Sequence, residues 1–340
     1  MLDRAAELEA FKRCDLSIIA ASMAGFAVEK KRTTKKTVMM SNGADKIAIS
    51  FNGRHYVFWT VGDNYRSGTA IDFVQHYVER GASMGRVRQL LRPFLNSGYV
   101  ADVRQKYKGR YATEIRENKV DLDAVAKRYG KFVPIDQPHP YLCDVRGVPF
   151  DLLQSQRLYG RVRMCPHRKS VVFPHREHYI DDKGKEKVRL SGYEIIGPSL
   201  KLFSSGSRKG LFVSVGMKGD DRLAFCESGL DALSVMAVHG EQGLRVASIS
   251  GMMNGQQGDI IRREIQRLGE GTVMSCFDAD AGGDTLTQQL LEITQSVSRN
   301  SLIFQDNRPA VRGQDYNDVL LERRGKKRDC THICDLQYGR

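Results

Sequence analysis

From Arg222 to Arg323 the chain repeats one rhythm four times, a short apolar run followed by a helical one. RLAFC leads into GLDALSVMAVHG, RVASIS into GQQGDIIRREIQRLG, TVMSCF into GGDTLTQQLLEITQSV, and SLIFQ into YNDVLLERRG. Strands alternating with helices of this length predict a parallel sheet covered on both faces. Two of the apolar runs end in acids: Glu227 after the first, and Asp278 with Asp280 after the third. In an open parallel sheet the carboxyl ends of the strands border the ligand crevice, so the three carboxylates are candidates to converge. Clustered anions repel unless a cation sits among them, and hard oxygen ligands suit Mg²⁺ or Mn²⁺. An acid before a helix is also a favourable cap; that explains Glu227 or Asp280 singly, and the whole set less well.

A chain of 340 residues has room for two or three domains, and 41% hydrophobic content marks it as globular. Its formal charge of +13 calls for a polyanionic partner, nucleic acid first and an anionic membrane second, against the plain alternative of a solvated basic surface. No run reaches the ~20 apolar residues of a membrane span, and the N-terminus lacks the apolar core of a signal peptide. Seven cysteines are scattered with no CxxC pair, which suits free thiols in a reducing cytoplasm. Cys226 and Cys276 sit in apolar runs and read as packing residues. Cys165, His167, His175 and His178, and the CTHIC run (Cys330, His332, Cys334), lack paired zinc-ligand spacing. Metal-dependent making or breaking of phosphodiesters is the chemistry these residues point to.

Residues 1–95 read as a first unit. A helix is followed by the basic run Lys30–Lys36, either a phosphate contact or an exposed edge, and then by DKIAISF and HYVFWTV, two strands joined at Asn52-Gly53. Trp59 reads as a core or platform residue of this sheet. Residues 96–120, polar with tyrosines among lysines and arginines, read as a linker able to lie along nucleic acid. Residues 121–220 open with helical patterns and continue into strands at VVFPHRE, VRLSGYEIIG and LFVSVG. The loop SSGSRKG between the last two suits a close backbone approach to a phosphate, or an ordinary turn. Residues 221–323 are the strand–helix unit, and 324–340 a basic tail.

ESGLDA, FDADAGGD and GQDYNDVL resemble the signature of the Toprim domain, the catalytic fold of bacterial primases, topoisomerases and some nucleases. Glu227 matches its glutamate, and Asp278 and Asp280 its DxD pair. The resemblance makes these three the catalytic and metal-binding residues, with Asp231, Asp315 and Asp318 as secondary acids. PYLCDVRGVPFDLL resembles the YLxxRG segment before the core of DnaG-type primases, and the strands and basic loop that follow keep that family's order. On this match Lys201, Arg208 and Lys209 contact nucleotide or template, and Arg146 belongs to the basic ridge beside them. HYVFWTVGDNYRSGTAIDFVQHY resembles the second half of a primase zinc ribbon with its cysteines replaced, which implies no zinc. Primase-like Toprim proteins of plasmids and mobile elements are the nearest likeness. Gln314 stands where many relatives have lysine and Asp284 where they have a small or basic residue, and no helicase-binding C-terminal domain is expected after the Toprim unit.

The fold expected is therefore α/β: a Toprim parallel sheet with flanking helices, preceded by an α+β primase-core subdomain and a small zinc-ribbon-like β unit without zinc ligands. The expected activity is synthesis of short RNA primers on single-stranded DNA from ribonucleoside triphosphates with Mg²⁺ or Mn²⁺. A replicative helicase or plasmid replication protein is the expected partner, with no membrane role. A Toprim nuclease, using the same acids to activate water, and a non-catalytic nucleic-acid-binding accessory protein are the alternatives.

Overall fold

The computed structural model describes residues 4–61, 66–117, 119–198, 200–297 and 301–325. The CTHIC run, nearly all of the basic tail and part of the GDNYRSG loop lie outside them. The chain divides into two compact units, Met1–Lys119 and Val120–Arg340.

In the first unit, α1 (Arg4–Lys12) and α2 (Leu16–Met23) precede β1 (Ala27–Val28), β2 (Thr37–Ser41), β3 (Lys46–Phe51), β4 (Tyr56–Thr60) and β5 (Ser67–Gly68). These strands form one antiparallel sheet in sequential order. Asn52 accepts hydrogen bonds from the N–H groups of Arg54 and His55, and Gly53 takes φ +90°, so the expected turn forms there. Phe26, Phe58, Phe73 and Tyr77 pack as edge-to-face or tilted rings in the core. Trp59, one residue on from Phe58, lies on the opposite face and is half-buried. Lys30, Lys31, Lys35 and Lys36 are exposed or nearly so. After α3 (Ala70–Phe73) and α4 (Met84–Leu91) comes α5 (Ser97–Lys106), capped by Asn96. The stretch expected as a linker is thus part of the unit. Val103 and Ile115 are buried in its core, and a single buried face leaves the rest of α5 polar.

The second unit begins with α6 (Leu122–Tyr129), β6 (Val133–Pro134), a wide helical turn at Tyr141–Val145 and α7 (Phe150–Leu153). Then come β7 (Arg163–Met164), β8 (Val171–Ile180), β9 (Glu186–Gly197) and β10 (Leu200–Phe203). They form an antiparallel sheet ordered β10-β9-β8-β7-β6. A bulge between His175 and Arg176 interrupts the β8–β9 ladder.

β11 (Phe212–Val213), β12 (Arg222–Cys226), α8 (Gly229–His239), β13 (Leu244–Ser248), α9 (Gly255–Leu268), β14 (Gly271–Ser275), α10 (Ala281–Ser296), β15 (Leu302–Asp306) and α11 (Tyr316–Arg323) complete the chain. The sheet order is β11-β13-β12-β14-β15, parallel except for β11. Side chains alternate between two cores. Ala224, Cys226, Val246, Met274 and Cys276 pack with α8, α11 and β8, whereas Leu223, Phe225, Ala247, Val273 and Phe277 pack with residues of α9 and α10. Burial on both faces is why these strands read as continuous apolar runs. From β12 the chain passes to β13 on one side, then crosses to β14 on the other. The switch point of the sheet therefore lies between the ends of β12 and β14, where Glu227 and Asp278 stand.

Candidate active site

Two loops bring the acids to this edge. The Ala279 N–H donates to the Gln314 carbonyl at 2.9 Å and the Gly313 N–H to the Ala279 carbonyl at 2.8 Å. Asp278 and Asp315 flank that pairing. Ser228 caps α8 and places Asp231 one turn in, with the Ser228 hydroxyl 2.5 Å from the Asp231 carboxylate. The three aspartates line one cavity of about 300 Å³ together with Tyr141, Arg146 and Lys201. Glu227, at the end of β12, is close enough for its charge to act on Asp231, Asp278, Lys201 and Lys209.

Burial pushes the carboxyl of Asp278 well above the usual range, and repulsion from Asp231, Glu227 and Asp315 adds to it. Asp231 is raised likewise, by burial first and then by Asp315. Oδ1 of Asp278 is buried and has no hydrogen-bond partner among the described residues. For Lys201, burial opposes the ammonium, but Glu194, Asp231, Glu227 and Asp278 outweigh it and its pKa is raised. Arg146 rests over the Tyr141 ring at 5.2 Å, and its Nε donates to the Tyr141 hydroxyl at 3.0 Å.

No three His, Cys, Asp or Glu side chains among the described residues stand close enough to form a ready-made metal cage. A hydrated Mg²⁺ does not require one: it keeps several waters and takes one or two carboxylates. An unpartnered buried carboxylate oxygen beside mutually repelling aspartates fits such an ion.

Several expected site residues are placed differently. Asp280 is the N-cap of α10, its Oδ1 accepting from the Gly283 N–H at 2.7 Å, and it does not line the cavity. Its turn is tight: a Cβ on Gly283 would stand 1.8 Å from the Asp278 carbonyl oxygen. Asp318 is the third helical residue of α11, in a capping box with Asp315. Arg208 turns to Glu177, 3.6 Å away. The Lys209 ammonium donates to the carbonyls of Ser250 (2.8 Å) and Met252 (3.2 Å), so it braces the β13–α9 loop. Asp284 is held by Arg308 and Arg312, and Gln314 donates to Glu322.

One residue at the site has no counterpart in the sequence reading. Glu194 of β9 is fully buried, and its Oε2 accepts the Gly229 N–H at the start of α8 at 2.9 Å. Burial raises its pKa against the pull of Lys201, the Gly229 and Ser250 hydrogen bonds and Lys209. Ser250 itself sits at φ +58°, a left-handed conformation uncommon outside glycine. Glu194, Ser250 and Lys209 thus tie β9 to the loop beyond β13. The signal available in sequence was a lone acid inside the apolar run YEII.

An α/β unit with acids at its switch point, fed by an antiparallel subdomain carrying basic residues, defines the class. Residues 224–320 match the family described as Toprim-like, and residues 140–221 match one described as Protein of unknown function (DUF3991). The chain therefore carries a Toprim-like domain. None of the curated proteins matches the chain. Among solved structures it is similar to the primase fragment of the bacteriophage T7 primase-helicase protein, with 14% identity, TM-score 0.34, and coverage of 54% of this chain and 68% of that one. It is also similar to a DNA primase domain from Pseudomonas aeruginosa, with 13% identity, TM-score 0.34, and coverage of 59% and 74%. The RNA polymerase domain of Mycobacterium tuberculosis primase DnaG gives 14% identity, TM-score 0.29, and coverage of 68% and 74%.

Proposed function

We propose that the chain is a primase-like nucleotidyltransferase that makes short RNA primers on single-stranded DNA. The observation carrying this reading is a single cavity that unites Asp231, Asp278 and Asp315 with Lys201 and Arg146 inside a Toprim-like unit. Asp278 and Asp231, with Glu227 beside them, are the residues that would hold Mg²⁺ or Mn²⁺. When bound, the ion supplies charge neutralisation for phosphoryl oxygens. Lys201 offsets the charge of an incoming triphosphate, and Arg146, which lines the same cavity, fixes its orientation. Glu194 and Lys209 position the loops around them. With a net charge of +13, the template is held largely through its phosphates. A replicative helicase or a plasmid replication protein is the partner such an enzyme serves, in the cytoplasm. No helix among the described residues is long and apolar enough to cross a membrane.

The test incubates single-stranded DNA with labelled ribonucleotides and Mg²⁺ or Mn²⁺, comparing the native chain with Asp278→Asn. New short RNA that vanishes in the variant supports the proposal. Shortened DNA without synthesis indicates a nuclease; salt-sensitive binding alone indicates an accessory protein.

A further inference from the structure

A second cavity, of about 280 Å³, lies within the same unit, and none of its lining residues lines the acidic one. Its polar lining includes Arg161, Arg176, Arg245 and Arg267 with His178, against Glu264. Glu264 is already committed. His178 Nε2 stands 3.3 Å from its Oε1, Arg267 donates to the same oxygen at 3.0 Å, and Arg245 donates to Oε2 at 3.3 Å. Arg161 and Arg176 are left over. Neither side chain has a hydrogen bond or ion pair among the described residues, and Nε of Arg176 is buried without a partner. Two unpaired cations facing one chamber are costly unless an anion completes them. Burial, and then the charge of Arg176, hold the Arg161 guanidinium below its usual pKa, and Tyr129 and Glu264 offset this only in part.

The chamber is built into the fold. The bulge after His175 shifts the β8–β9 register, and Arg176, paired with Leu190 in that ladder, also exchanges two backbone hydrogen bonds with Leu211, at 2.8 and 3.0 Å. Gly210 permits this approach: a Cβ there would stand 2.1 Å from the Arg176 carbonyl oxygen. Val188, Leu211 and Ile260 supply apolar wall, beside which charge-assisted hydrogen bonds are stronger than in open water.

We propose that this arginine chamber is a second anion site, distinct from the acidic cavity, that takes a compact phosphate group: pyrophosphate or the phosphates of a nucleotide. The guanidinium forks of Arg161 and Arg176 match phosphate oxygens bidentately, and a walled chamber of this size suits a terminal phosphate group better than a passing strand. It is independent of the acidic cavity's chemistry.

The full chain, in EDTA, is titrated calorimetrically with inorganic pyrophosphate, against sodium chloride at matched ionic strength. Saturable binding is expected, weakened about tenfold or more in Arg161→Gln and in Arg176→Gln, the loss of one charge-assisted contact. A nucleoside triphosphate and a 5′-phosphorylated dinucleotide, each compared with its dephosphorylated form, identify whether free nucleotide or a nucleic-acid end is the source. Without anion, Arg161→Gln should unfold at the same temperature as the native chain or higher, because repulsion is relieved. Absent binding, binding unchanged in both variants, or a lowered unfolding temperature in anion-free Arg161→Gln would each overturn the site.

Discussion

The Ala279 N–H donates to the Gln314 carbonyl at 2.9 Å, and this contact joins the loop after β14 to the loop before α11. It accounts for a cavity that draws Asp278 and Asp315 from sequence positions 37 residues apart, while Asp280, two residues from Asp278, caps α10 and does not line it.

That crowding predicts a trade between stability and activity. In metal-free buffer Asp278→Asn removes a buried, repelled carboxylate and should stabilise the fold by about 1 kcal/mol, while primer synthesis falls to background. Thermal unfolding in EDTA alongside the synthesis assay checks both halves.

Metal affinity should rise with pH. Burial and mutual repulsion push Asp231 up to about 7 and Asp278 to about 9, so at neutral pH a divalent ion must displace protons. Affinity should strengthen as pH rises through that window. Calorimetry in two buffers of different ionisation enthalpy should register proton release, which Asp278→Asn should reduce.

His175 should make the fold acid-sensitive. Its ring is fully buried and its Nδ1–H donates to the Gly210 carbonyl at 2.8 Å, with Nε2 unpartnered. Burial lowers its pKa from 6.5 to about 4, so between those values the unfolded chain binds the extra proton. Stability is therefore full above about 6.5 and lost as pH falls towards 4, by roughly 3 kcal/mol from this residue. Denaturant unfolding across this range should show a shallower slope in His175→Asn.

Gly283→Ala should be severe. The added Cβ meets the Asp278 carbonyl at 1.8 Å, so the α10 turn must move. A cost above about 3 kcal/mol is expected, with loss of activity even where the fold survives. Urea unfolding and the synthesis assay measure the two effects.

The parallel sheet was legible because each strand is buried on both faces and reads as an unbroken apolar run. The acid at the end of β12 and the first acid after β14 were legible for the same reason. Capping and ligand geometry give Asp280 the same DxD spacing, and the Gly283 N–H contact to its Oδ1 is a feature the spacing does not show. Asp231 and Asp315 read as secondary because an acid in or before the first turn of a helix looks ordinary; the burial of Asp231 depends on packing across the fold. Glu194 escaped notice because its partners, Gly229 and Ser250, lie 35 and 56 residues away. The tyrosine-rich stretch 96–120 looked like linker since one buried face of α5 leaves little periodic signal.

The most direct measurement is binding of a ribonucleoside triphosphate with Mn²⁺ to the full chain, followed by electron paramagnetic resonance of the ion. The native chain should take up Mn²⁺ saturably, and more tightly with the triphosphate present. Asp278→Asn and Asp231→Asn should lose the ion, whereas Lys201→Gln should keep it and lose the enhancement by the triphosphate. Native-like uptake and enhancement in all three variants would contradict an active centre built on Asp231, Asp278 and Lys201.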